Sequence, residues 1–232
     1  MTNITNKHNT TNNRVTVNNV SNHDSKNNTS GNTNSIGIGE NAGLTNQNSG
    51  AISIGVNSGY SNQGTNAIAI GVSAGQDSQL SGAIAIGLNA GVTGQEENTI
   101  AIGESAGGYY QNSGALAIGL NAGYTNQGTN SIAIGTDTGK TDSGMNSISI
   151  GYLAHNQNSE NTIILNASGN TLLAGNSNSF YVAPIRNITQ TNVLGYNSTS
   201  KEVSYYQLGS GQSVSNGTFY GDALFYDNTN FR

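Results

Sequence analysis

The sequence predicts an all-β fold: a parallel β-solenoid, or β-roll, of 16-residue coils followed by a small β-rich C-terminal domain. From Ser35 to Gly151 the chain repeats every 16 residues without insertion or deletion, and each unit opens with the phrase small, Ile, small, Ile, Gly. A fixed short period is typical of stacked coils, and alternation along the phrase is typical of a strand. We number the coils by these phrases, and the positions in each coil from the first residue of its phrase. The eight phrases begin at Ser35, Ala51, Ala67, Ala83, Thr99, Ala115, Ser131 and Ser147.

The aliphatic residues of the phrase are expected to form the core of the repeat. Position four is Ile in every coil, and position two is Ile in all but one, where Leu116 stands. Alternate residues of a strand share a face, so the small residues at positions one and three share the other. Such thin coils bury little apolar surface, so we expect chains to oligomerise, with the small residues allowing close approach. The expected core residues are Ile38, Ile54, Ile70, Ile86, Ile102, Ile118, Ile134 and Ile150.

Glycine and asparagine mark the expected turns. Position nine is Gly in seven coils, with His155 in the eighth, and Asn or Gly precedes every phrase from Asn34 onward. Because these two residue types enter the left-handed region most cheaply, we expect positive φ before each phrase. His155 is then expected to be a tolerated positive-φ or capping residue rather than a ligand. Position five is always glycine: Gly39, Gly55, Gly71, Gly87, Gly103, Gly119, Gly135 and Gly151.

The repeat resembles that of a known family. The phrase small-Ile-Ala-Ile-Gly-x-x-Ala-Gly, as in AIAIGLNAG from Ala83 and SIAIGTDTG from Ser131, is similar to the head repeat of trimeric autotransporter adhesins. The resemblance covers roughly residues 35–165. It implies a left-handed roll and a homotrimer with three rolls packed side by side. Coils of that family are commonly a little shorter, so the turns here are expected to bulge further.

Composition divides the chain into three segments. Residues 1–34 form a polar N-terminal arm, expected to be extended or partly disordered, and residues 35–170 form the roll of eight regular coils plus a closing coil that starts at Thr162. Residues 171–232 form a β-rich segment, expected to trimerise. Within it, residues 179–207 read as three strands separated by polar turns.

The C-terminal segment resembles proteins of a different kind. It is similar to a segment of tail-fibre proteins of phages and large DNA viruses, in which it stands ahead of an intramolecular chaperone. This resemblance implies a viral fibre. The matching residues are Phe180, Val182, Pro184, Ile185, Arg186 and Asn187, followed by Val193, Leu194, Tyr196, Asn197, Lys201, Glu202, Val203 and Tyr205.

Composition and charge exclude several classes of function. The net charge is −5 and only 8% of residues are charged, which disfavours binding to nucleic acid or to a membrane through a basic surface. There is no cysteine, so disulfides and thiolate metal sites are excluded. The N-terminal residues contain no apolar signal segment and no stretch is suited to spanning a membrane. We expect a virion surface or extracellular fibre and, if the chain is complete, release by lysis or within a particle.

Catalytic, metal and cofactor sites are not expected. A glycan-processing enzyme of the tail-spike type would need paired carboxylates in a groove, whereas the acidic residues here lie in turns or loops. Asp137 and Asp142 flank the seventh turn and could meet their symmetry mates in a cation site on a threefold axis. Solvated loop carboxylates are the commoner outcome.

Exposed tyrosines are the candidate binding residues. Tyr60 and Tyr124 stand at position ten, and Tyr109 and Tyr110 stand in the corresponding turn of the fifth coil. Aromatic faces among Asn, Gln and Thr suit sugar rings, although a tyrosine can also simply cover a neighbouring turn.

These features together predict a structural fibre or spike protein that presents a rigid trimeric roll for attachment to a host-surface receptor or glycan. Its partners are expected to be other copies of itself, the host receptor or glycan, and other fibre or virion proteins through the N-terminal arm. Two alternatives stay open: a purely architectural fibre or capsid-decoration protein, and a fragment of a bacterial surface adhesin.

Overall fold

The computed structural model describes residues 35–185 and 192–207, and the N-terminal arm with Asn34 lies outside them. The described residues form strands joined by turns, without a helix. The strands are β1 (Ile36–Ile38), β2 (Ile52–Ile54), β3 (Ile68–Ile70), β4 (Asp77–Gln79), β5 (Ile84–Ile86), β6 (Thr93–Gln95), β7 (Ile100–Ile102), β8 (Tyr109–Gln111), β9 (Leu116–Ile118), β10 (Thr125–Gln127), β11 (Ile132–Ile134), β12 (Thr141–Ser143), β13 (Ile148–Gly151), β14 (Ala154–His155), β15 (Ile163–Asn166), β16 (Leu172–Leu173), β17 (Phe180–Ala183), β18 (Asn192–Tyr196) and β19 (Val203–Gln207).

Two parallel sheets build a solenoid. The phrases form a ten-stranded sheet in the order β1-β2-β3-β5-β7-β9-β11-β13-β15-β17, and the second strands of the third to seventh coils form a five-stranded sheet in the order β12-β10-β8-β6-β4. In the regular coils of both sheets a residue pairs with the residue one repeat later, as Ile52 pairs with Ile68 and Thr93 with Tyr109. The predicted coil of strand, turn, short strand and turn is confirmed.

The turns adopt the left-handed backbone that the sequence predicts. Gly50 and Asn66, which precede phrases, have φ of 71° and 57°, and Gly75 at position nine has φ of 53°. At position five the coils also approach closely, since a Cβ on Gly71 would lie 2.4 Å from the carbonyl oxygen of Gly87. Only glycine fits there. Positions seven and twelve are also left-handed, which sequence analysis did not predict.

The interior of the coil is lined by the small residues rather than by isoleucine. From the second coil onward the side chains at positions one, three and eight are buried, and alanines such as Ala85 and Ala90 form the continuous cluster at the centre. The isoleucines predicted to be core lie on the outer face instead, and Ile102 is 36% exposed. A coil of this length encloses too little space for a branched side chain in every turn. The small residues therefore face inward and cannot be the surface through which chains approach.

A column of buried glutamines fills the rest of the interior. Nε2 of Gln79 donates to the backbone oxygens of Ile68 at 2.8 Å and Ala83 at 3.1 Å, and to Oε1 of Gln95 at 3.1 Å. The same amide contact recurs from coil to coil, so the column links the two sheets as well as successive coils. The fully buried members are Gln63, Gln79, Gln95, Gln111 and Gln127.

The solenoid extends beyond the predicted boundary at residue 170. The phrase at Thr162 does not close the stack, because β17 pairs in parallel with β15 and places Phe180 opposite Ile163. The interior also changes here, since the buried Ile164 packs with Ala154 and its neighbours in place of the alanine and glutamine columns. The compact unit ends at Ile185.

The remaining described residues form a β-hairpin, in which β18 and β19 pair antiparallel with Leu194 opposite Tyr205. The three strands predicted between residues 179 and 207 are thus present, but the first of them belongs to the solenoid. The trimerising role expected of this segment stays a prediction.

Candidate binding surface

The outer face of the ten-stranded sheet carries an aliphatic ridge. Positions two and four of each coil point away from the interior, so each coil places two aliphatic side chains on this face. All of these side chains are partly or largely exposed. The register continues them onto β17. The ridge consists of Ile36, Ile38, Ile52, Ile54, Ile68, Ile70, Ile84, Ile86, Ile100, Ile102, Leu116, Ile118, Ile132, Ile134, Ile148, Ile150, Ile163, Leu165, Phe180 and Val182.

A third, interrupted apolar column flanks the ridge at position six, just beyond the turn glycine, with Glu40, Glu104 and Thr136 as its polar members. Sequence analysis did not consider this column, although its aliphatic residues recur in the sequence. Because position five is a turn, position six lies around a bend from the ridge. Its exposed apolar members are Val56, Val72, Leu88, Leu120 and Tyr152.

Three of the predicted tyrosines come together near the five-stranded sheet, and we call Tyr109, Tyr110 and Tyr124 the tyrosine cluster. The rings of Tyr109 and Tyr124 pack edge to face, with centroids 5.3 Å apart and planes at 89°. Tyr110 follows Tyr109 in β8 and is 58% exposed, while Tyr109 is 38% exposed. These rings offer aromatic surface to solvent over adjacent coils.

Two glycines of the preceding coils make room for the rings. A Cβ on Gly94 would lie 3.0 Å from Cδ1 of Tyr110, and a Cβ on Gly108 would lie 2.9 Å from Cδ2 of Tyr124. Gly94 stands at position twelve exactly one repeat before Tyr110, and Gly108 stands at position ten one repeat before Tyr124. In the seven regular coils, glycine occurs nowhere else at either position. Each ring therefore lies against a site where the repeat has lost its side chain.

The surroundings of the cluster are polar, and Lys140 is the only lysine or arginine within the described residues 35–185. Burial raises the pKa of Tyr124 above its ordinary value, and a hydrogen bond with Tyr109 raises it further, so the phenol of Tyr124 is neutral at physiological pH. Nζ of Lys140, one coil further on, lies 2.9 Å from Oδ1 of Asp137. This ion pair neutralises the cation, while Asp142 lies in the same coil as Lys140.

Tyr60 does not belong to the cluster. It stands at position ten of the second coil, whereas Tyr124 stands at the same position of the sixth. Strands in adjacent coils are about 4.8 Å apart, so the two tyrosines are separated by about 19 Å along the solenoid. The four predicted tyrosines are thus one cluster and one isolated residue.

The two aspartates each bind the coil before them. Asp137 accepts a hydrogen bond from Nδ2 of Asn121 at 3.0 Å, and Asp142 accepts one from Nδ2 of Asn126 at 2.8 Å. The hydrogen bond from Lys140 lowers the pKa of Asp137, against the opposing effect of burial. Within the residues that the structure describes, no group of three or more histidine or acidic side chains could hold a metal ion. A cation site formed with symmetry mates stays a prediction.

His155 is not the positive-φ residue that the repeat predicts. It lies in β14, where it pairs with Leu173. Position seven of this coil, Leu153, keeps the left-handed backbone of the other coils with φ of 53°, whereas position nine has lost it. Burial lowers the pKa of the imidazole, while the nearby charge of Asp137 opposes the shift. In this coil the short strand β14 replaces the turn that the regular coils form at positions eight and nine.

Comparisons with protein-family models, with curated proteins and with solved structures gave no match. No helix among the described residues is long and apolar enough to cross a membrane.

Proposed function

We propose that this chain is a structural fibre or spike protein, of viral or phage origin, that assembles as a homotrimer of left-handed rolls and attaches a particle to a host surface. The observation that carries the proposal is the aliphatic ridge, which runs without interruption over ten strands of one sheet. On proteins that fold in water, a contiguous exposed apolar surface of this kind marks a site where another molecule binds.

The ridge and the adjoining column at position six support a closed ring of chains. In a two-fold dimer both chains use the same patch, whereas in a ring each chain contacts its two neighbours through two different patches. The turn at position five separates the apolar side chains into two adjoining surfaces, one bearing Ile86 and the other bearing Leu88. The number three comes from the family that the repeats resemble.

The regularity of the coils supports a rod that holds a binding surface at a distance. Successive coils are tied by backbone hydrogen bonds, by the buried glutamines and by surface amide contacts such as Nδ2 of Asn41 to Oδ1 of Asn57 at 3.0 Å. Each coil contacts only its neighbours, so length grows with repeat number while the cross-section stays constant. A fibre shaft needs this geometry.

Deleting the gene from the producing particle and measuring adsorption to host cells tests the attachment role. We expect adsorption to fall and to be restored by the gene supplied in trans. Unchanged adsorption with intact particles would contradict attachment and would favour a purely architectural part. Incubating the purified protein with host-surface polysaccharide tests for catalysis: we expect no released saccharide above background, and release would favour a glycan-processing enzyme.

A further inference from the structure

We propose that the tyrosine cluster is a binding site for a neutral pyranose of a surface polysaccharide, with the exposed ring of Tyr110 as the stacking face. This inference deepens the proposed attachment role and rests on it. It differs from the broader expectation for all four tyrosines in assigning the site to Tyr109, Tyr110 and Tyr124 and in leaving Tyr60 out.

The paired tyrosines and glycines indicate a built surface. Tyr110 stands in a column whose commonest residue is asparagine, whereas Tyr124 stands in a column of varied residues. In both cases the coil before has glycine where the ring lies. A tyrosine that only covers a turn needs no glycine in the preceding coil. It also need not stay more than half exposed, as Tyr110 does at 58%. The two tyrosine and glycine pairs lie in adjacent coils, and Tyr110 is the chain neighbour of Tyr109, whose ring packs against that of Tyr124.

The geometry suits a ligand with an apolar face and a polar rim. Tyr109 pairs in register with Thr93 on one side and Thr125 on the other, so two hydroxyl side chains flank it along the sheet. Asn126 is exposed beside Thr125. A pyranose presents C–H groups to an aromatic ring while its hydroxyls bond to neighbouring hydroxyl and amide groups.

The charge around the cluster favours a neutral sugar over a sialylated or sulfated one. Lys140, the cation that acts on Tyr124, is already paired with Asp137. Asp142 lies one coil beyond Asn126 and accepts its amide hydrogen. An acidic sugar would meet no unpaired cation in this set, whereas a neutral one needs none.

The test uses the full chain and a printed array of oligosaccharides ending in neutral hexoses or N-acetylhexosamines, beside sialylated and sulfated ones. We expect binding to neutral members, a fall of about tenfold or more in affinity for the double variant Y110A/Y124A, and retention of binding by Tyr110→Phe, which keeps the ring. Tyr60→Ala is the matched control, since it removes an isolated tyrosine from the same column as Tyr124, and it should leave affinity unchanged. Circular dichroism and sedimentation must show that all variants keep the fold and assembly.

Three results would overturn the proposal: no binding to any neutral oligosaccharide, binding only to charged ones, or equal affinity in the double variant. A folded double variant that loses thermal stability without losing binding would show that the rings merely cover the coil. Adsorption separates this proposal from the attachment role. If particles carrying the double variant adsorb normally while gene deletion abolishes adsorption, the attachment role stands and this site is wrong.

Discussion

Nε2 of Gln79 donates a hydrogen bond of 3.1 Å to Oε1 of Gln95, one coil further along the buried interior. The contact places a polar side chain where most repeat proteins place an aliphatic one. Buried amides of this kind stabilise a fold only while every member keeps its partners. The glutamine column is therefore a sensitive point of the solenoid.

Replacing Gln95 by leucine, which has a similar size, should destabilise the solenoid. The change removes the donor to Oε1 of Gln111 and to the backbone oxygen of Ile84, whereas Nε2 of Gln79 keeps its two backbone acceptors. A buried acceptor left without its donor costs about 1–3 kcal/mol. Thermal and denaturant unfolding followed by circular dichroism measure the effect. Gln76→Leu, at a partly exposed position outside the column, is the control and should change little. Equal stability of the Gln95 variant would show that the column is dispensable.

Gly87→Ala should disrupt the stacking of coils. Gly87 has φ of 133°, which is costly for any residue with a side chain by about 1–3 kcal/mol, and its Cβ would lie 2.5 Å from the backbone oxygen of Gly103. We expect a marked loss of thermal stability or a failure to fold. Gly175→Ala is the matched control, because nothing lies within 4 Å of its Cβ. Two variants of equal stability would contradict the close approach of coils at position five.

The stability of the solenoid should depend on the protonation of His155. Burial lowers the pKa of His155 in the folded state below its ordinary value of 6.5, so the unfolded chain binds this proton more tightly. The stability is complete above about pH 6.5 and falls as the pH drops from there toward the folded pKa. Unfolding at a series of pH values should show this decline in the native protein and a weaker one in His155→Gln. The same slope in both would assign the decline to other groups.

The repeat could be predicted from the sequence, whereas the side of the strand that faces inward could not. Strands, register and turns follow from the period and from residues such as Asn66 before a phrase and Gly75 at position nine. The alternation of Ile84 and Ala85 is equally compatible with either face inside, and the usual preference for buried isoleucine gave the wrong one. Alanine faces inward because the interior of the coil is too narrow for isoleucine in every turn. One feature of the sequence did indicate which side faces inward: position thirteen is glutamine in six successive coils. An exposed position would tolerate different residues, so this constancy indicates a buried side chain.

The end of the solenoid and the binding surface were harder to predict. The phrase at Phe180 lacks the isoleucines and the glycine of the repeat and arrives 17 residues after Ile163, so its place in the sheet shows only in the pairing. The tyrosines could be named from the sequence as candidates. Their division into a cluster and an isolated Tyr60 depended on the coil numbering and on the ring contacts with Gly94 and Gly108.

Polar substitutions on the ridge should weaken assembly without unfolding the coil. The double variant I86N/I102N changes adjacent outward side chains at position four, where the interior is not touched. We expect dissociation at protein concentrations at which the native protein stays assembled. The control L80N/M145N replaces exposed apolar side chains away from the ten-stranded sheet and should assemble normally. If both variants assemble alike, the ridge is not the contact between chains.

Sedimentation equilibrium of the full chain tests most directly whether other copies cover the aliphatic ridge. The account predicts one assembled species close to three times the chain mass of 23.8 kDa, stable upon dilution. A folded species of a single chain mass at every concentration would contradict it.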